Sequence, residues 1–142
     1  MGLVPRRWSV EVGGIRWLPR MIDKARMSAN GTLGAYLIGH SPVDKALLER
    51  LGVTTQEFVR IAATEPDDAG VLAALSARPG FDEARVRRWS DHFERTYRFY
   101  IRLWDLDEGY ARPNPIERTL GSIYHVFEGP ISALLRKLLP AP

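Results

Sequence analysis

From Asp82 to Gly109 the chain reads DEARVRRWSDHFERTYRFYIRLWDLDEG, and its apolar residues recur at spacings of three and four. Val86, Trp89, Phe93, Thr96, Tyr97, Tyr100, Leu103 and Trp104 share one stripe, with Phe99 and Leu106 in a second row beside it. That period predicts one long helix over about residues 82–108. An apolar arc this wide suits a central helix packed on more than one side. Arg87, Asp91, Glu94, Arg95 and Arg98 fall opposite, and Asp91→Arg95 and Glu94→Arg98 run in the favourable order, so this arc reads as a solvated face. The fold class that follows is all-α, with five to seven helices around this one and a short extended arm near the N-terminus.

The shorter helices announce themselves by their caps. SPVD supplies Ser41 as N-cap with Pro42 at the first position and Asp44 three residues on, and Gly52 is the stop. TTQE places Glu57 three residues after Thr54, the spacing of a capping box. Pro66, Asp67 and Asp68 suit the first turn of a third helix that ends by Pro79-Gly80. Upstream, Trp8, Val10 and Val12 alternate with polar residues as a strand or arm, closed by Gly13-Gly14. Thr32 to His40 lacks helical period and reads as an extended loop that pairs with that strand. The first helix, about residues 19–30, sets Met21, Ile22, Ala25 and Ala29 on one face and Arg20, Asp23, Lys24 and Met27 on the other. Beyond the Arg112-Pro113-Asn114-Pro115 break come two apolar runs: Leu120, Ile123, Tyr124 and Phe127, then Ile131, Leu134, Leu135, Leu138 and Leu139. Residues 1–142 thus read as a single helical domain. Residues 113–142 are a C-terminal helical extension, packed on it or forming a homodimer contact through the apolar face.

Composition narrows the chemistry. No cysteine is present, which excludes a disulfide scaffold, a thiolate zinc site and a cysteine nucleophile. No apolar run approaches the roughly 18 residues of a membrane span, and nothing at the N-terminus resembles a signal peptide, so the expectation is a soluble cytoplasmic protein without membrane partners. The net charge of +3 is unevenly spread. Residues 1–30 hold six Arg or Lys against Glu11 and Asp23, and residues 31–80 hold four against six acids. No basic stripe covers a whole face, which argues against nucleic acid as a partner.

The histidines, His40, His92 and His125, show no i,i+3 or i,i+4 pairing, so no metal and no other cofactor is expected. Ser28, Ser90 and Ser122 lack the G-x-S-x-G setting of a nucleophile, and no phosphate loop occurs. Two readings survive. In one, Arg16, Arg20 and Lys24 step by four along the first helix and place positive charge at its N-terminus, where the backbone dipole already does so. An anion, phosphate or carboxylate, would offset that repulsion and make the protein a binding or interaction module. Acidic side chains, with Glu65, Asp67 and Asp68 as candidates, would do so equally. In the other reading, a small-molecule enzyme uses Asp23 and His40 as an acid/base pair beside Arg16 and Arg20. Asp23 would otherwise serve as counter-ion to Arg20 and Arg26.

WLPRMIDKARMSANGTLGAYLIG, followed by SPVDKALLERLGVTTQEFVRIAA and later by RWSDHFERTYRFYIRLWDLDEG, resembles a bacterial family known as domain of unknown function 5069. The resemblance runs from about Gly14 to Gly109, and LPRMIDKAR is its most specific part. It implies a compact helical domain in bacteria and implies no activity.

Overall fold

The computed structural model describes residues 3–112 together with Pro115. The chain forms two compact units that divide between Thr96 and Tyr97. Among the described residues there are seven helices and one two-stranded sheet, so the fold is mainly helical. The apolar runs after Pro115, and His125 with them, lie outside the described residues.

The first unit begins with an arm that leads into β1 (Glu11–Val12) and β2 (Ile15–Arg16), an antiparallel pair with Val12 opposite Ile15. Gly13 and Gly14 make the turn at φ 59° and 76°, the left-handed pair that a tight hairpin requires. The first strand therefore pairs with the residues just after it and not with the loop of residues 32–40, because two consecutive glycines close a hairpin locally.

Helix α1 (Leu18–Ala29) is the centre of this unit and packs chiefly on α3 (Thr55–Thr64), with β1 and α4 (Asp68–Ser76) beside it. Met21, Ile22 and Ala25 of the expected face are fully buried, together with Leu18, whereas Ala29, in the last turn, is exposed. Arg20, Lys24 and Met27 are buried as well, which the sequence reading had assigned to the polar side. The arm brings the Pro5 and Arg6 carbonyls to Arg20, and Asp44 meets Lys24. Helix α2 (Pro42–Leu51) starts on Ser41, whose hydroxyl accepts from the Asp44 N–H, and stops at Gly52 with φ 69°. Thr54 and Glu57 form the full capping box at α3, and Asp67 caps α4 by accepting from the Gly70 N–H. The Ser41 and Thr54 caps are the ones expected from the sequence, whereas α4 begins at Asp68, so Asp67 is its N-cap and Pro66 lies before it, not in the first turn.

The long stripe is not one helix. It forms α5 (Glu83–Asp91), α6 (Phe93–Thr96) and α7 (Arg98–Asp107), with breaks at His92 and Tyr97. At the first break a side chain takes a helical acceptor: the Arg16 guanidinium donates to the Ser90 carbonyl at 2.8 Å, the group that would otherwise accept from residue 94. Ser90 Oγ donates to the Gly14 carbonyl and accepts from the Arg16 N–H, which pins α5 to the hairpin. After the turn Phe93 is fully buried, stacked on Trp8 and Trp17 and edge-on to Trp89. The central element of this unit is thus α1 and not the stripe. In the second unit Tyr100 stacks on Trp104, and Phe99 meets Tyr100 edge-on. No helix among the described residues is long and apolar enough to cross a membrane.

Candidate functional site

The three cations expected to gather at the start of α1 have separate partners. Arg16 donates to the Ser90 carbonyl and forms a 3.3 Å ion pair with Glu11. Arg20 donates to the carbonyls of Pro5 and Arg6 and lies over the rings of Trp17 and Tyr36. Lys24 donates to both oxygens of Asp44 at 2.7 Å, and its ammonium stands 5.3 Å from the Trp17 ring centroid. What the structure does bring together is Arg20 and Lys24, both against the Trp17 indole. An acidic counter-ion was foreseen for this helix, but it comes from Asp44 and Glu11. Asp68 takes Arg6 and Arg26 instead.

Trp17 is held in a left-handed conformation, φ 70°, the only non-glycine among the described residues with positive φ. A bulky residue there is strained, and it persists because its surroundings fix it. Its N–H donates to the Trp8 carbonyl and its indole Nε1 donates to Asp44. Asp44 is completely buried and accepts from Lys24, Trp17 and the Gly39 N–H. The Gly39 bond ties the loop after α1 to the first turn of α2.

A shallow site lies beside α1, where Arg6 of the arm reaches Asp23. An open cleft of about 630 Å³ is lined by Arg6, Val12, Asp23, Arg26 and the segment Pro66–Ala69 that opens α4. Arg6 is its keystone. Its backbone N–H and Nε donate to Asp23 Oδ2 and its Nη2 to Asp23 Oδ1, while Nη1 and Nη2 together grip the Asp68 carboxylate. A guanidinium fork closed by two carboxylates is a strong, directional arrangement. Its hydrogen bonds to Asp68 and then Asp23 push the Arg6 pKa well above its ordinary value. The hydrogen bond from Arg6 holds the Asp68 carboxyl below the usual carboxylate range.

Arg26 is placed differently. Its Nε and Nη2 donate to the Ala62 and Glu65 carbonyls at the end of α3. Its Nη1 faces Asp68 across 3.8 Å, beyond hydrogen-bond reach.

Asp23 therefore answers neither Arg20 nor Arg26. No hydrogen bond or ion pair joins it to His40 among the described residues, and Arg16 is turned to Ser90 and Glu11. The acid/base constellation of the enzyme reading is not assembled. The exposed His92 serves as the C-cap of α5, its Nδ1 2.7 Å from the Arg88 carbonyl. Among the described residues no group of three or more His, Asp or Glu side chains is placed to hold a metal ion. Arg6 is the residue that sequence reasoning missed. It lies 17 residues from Asp23 and 62 from Asp68, so no local spacing marks it.

The Asp68 shift fixes a pH dependence. Its folded pKa lies below the unfolded value, so its stabilisation is present above the unfolded pKa and is lost as pH falls through the folded one. Arg6→Ala should lower the melting temperature at pH 7, and the gap to the parent should shrink as pH drops below about 4. A gap that stayed constant from pH 7 to pH 3 would show that the ion pairs do not account for the effect.

A family model described as a domain of unknown function, DUF5069, matches residues 3–110. The chain belongs to this family. The match takes in the arm with Arg6 and Trp8, which the resemblance from Gly14 onward leaves out. No curated protein matches the chain.

Proposed function

We propose that the protein is a binding module that holds a small charged ligand in the cleft beside α1. The observation that carries this reading is the tip of Arg26. Arg6 in the same cleft is closed by two carboxylates, whereas Arg26, which also lines it, engages Nη1 only in a 3.8 Å ion pair with Asp68. Concave sites with a few convergent polar groups and displaced pKa values are where ligands bind. A carboxylate or phosphate on Arg26 would complete a fork that α3 already orients through two carbonyls. An enzyme reading has less support, since Asp23 is engaged by Arg6.

The test is thermal unfolding with phosphate, a monocarboxylate, an amine and an amino acid, each titrated at matched ionic strength. At least one should raise the melting temperature in a saturable way, and Arg26→Gln should abolish the response relative to its own ligand-free value. A ligand at about 100 times its Kd adds about 2.7 kcal/mol, a readily measured shift. A response equal in parent and Arg26→Gln, or no saturable response to any probe, overturns the reading. A phosphate response lost in Arg20→Ala but kept in Arg26→Gln would move the anion to Arg16, Arg20 and Lys24 at the start of α1.

A further inference from the structure

We infer that the ligand of this cleft is a small zwitterion, with an ammonium and a carboxylate side by side as in a free amino acid. The inference rests on the reading of the cleft as a binding site and adds the class of ligand. Three carboxylates line the cleft, those of Asp23, Asp67 and Asp68, against the guanidinium groups of Arg6 and Arg26. Arg6 is closed by Asp23 and Asp68, whereas Arg26 Nη1 has only the 3.8 Å ion pair with Asp68, which makes Arg26 the more weakly engaged cation for an incoming anionic group. Asp67 uses Oδ1 to accept from the Gly70 N–H and makes no hydrogen bond through Oδ2. A ligand with negative charge alone would meet Arg26 but stand against Asp67 and Asp68. One with positive charge alone would meet those carboxylates but stand against Arg26. Val12, Pro66 and Ala69 give the same cleft an apolar wall suited to a small alkyl side chain.

The experiment compares L-alanine with propionate, which lacks the amine, and ethylamine, which lacks the carboxylate. Each is titrated against the full chain by amide chemical-shift perturbation and thermal unfolding. L-Alanine should bind saturably, with a Kd at least tenfold below either analogue and shifts centred on Val12, Arg26 and Ala69. Arg26→Gln should abolish this binding. Asp67→Asn should weaken it several-fold with the helix cap intact, since asparagine caps as well as aspartate. Propionate or ethylamine binding as tightly as L-alanine, with loss in Arg26→Gln, overturns the zwitterion and leaves the cleft as a site. Absence of a saturable response to all three overturns the zwitterion, and with a silent phosphate titration it overturns the cleft reading too.

Discussion

Asp44→Ala should lower the melting temperature by roughly 10 °C or more, one of the two largest losses from a single substitution in the described chain. The carboxylate is completely buried, and three different donors converge on it. Truncation takes it away from the Lys24 ammonium, the Trp17 indole and the Gly39 amide at once. Breaking a buried pair by removing one partner costs about 3–5 kcal/mol, because a charge then stays buried without its counter-ion. For a chain of this length each kcal/mol moves the midpoint by roughly 3 °C. Asp44→Asn keeps an acceptor for Trp17 and Gly39 but removes the charge, so it should cost less than alanine. Lys24→Met combined with Asp44→Asn should recover part of the loss, since no ammonium then needs a counter-ion. Urea and thermal unfolding of the three variants checks the order. An Asp44→Ala protein melting within about 2 °C of the parent would remove the buried pair from the account of stability.

The parts of the fold that were legible in sequence are those decided within a few residues. Ser41 with Asp44 and Thr54 with Glu57 are caps closed over three positions, and both form. The period of the long stripe was equally plain, but period reports which residues share a face and not whether the backbone is continuous. At the first of its two breaks the Ser90 carbonyl is taken by Arg16, 74 residues away, a contact that no local period reports. The same holds for α1. Arg20 and Lys24 lie opposite the apolar face by spacing, and their burial becomes tolerable only through Tyr36, Asp44 and the arm carbonyls, all distant in sequence. For the candidate site, the sequence shows six Arg or Lys against two acids in residues 1–30. It misassigned the cleft's contents, because Arg6 sits on an arm whose placement depends on Asp23 and Asp68 together.

Phe93→Ala is the second substitution expected to lower the midpoint by roughly 10 °C or more. Phe93 is fully buried at the turn between α5 and α6, with Trp8 at 5.7 Å, Trp17 at 5.8 Å and Trp89 at 5.2 Å between ring centroids. Those three rings come from the arm, the start of α1 and α5, so one side chain joins three segments that are distant in sequence. Removing a buried phenylalanine costs about 3–5 kcal/mol from lost transfer free energy and the cavity left behind. The two stacked contacts and one edge-on contact each add about 0.5–1.5 kcal/mol beyond burial. The neighbours cannot close the space freely: Trp8 is tied through its carbonyl to the Trp17 N–H, and Trp17 through its indole to Asp44. Phe93→Leu keeps most of the volume and loses the ring contacts, so it should cost well under the alanine value. Near-ultraviolet circular dichroism should lose intensity in Phe93→Ala, because three tryptophans lose the ring that orients them, while the far-ultraviolet helical signal stays near the parent's. If the alanine variant keeps both its tryptophan signal and its melting temperature, the aromatic cluster does not join the arm to the helices.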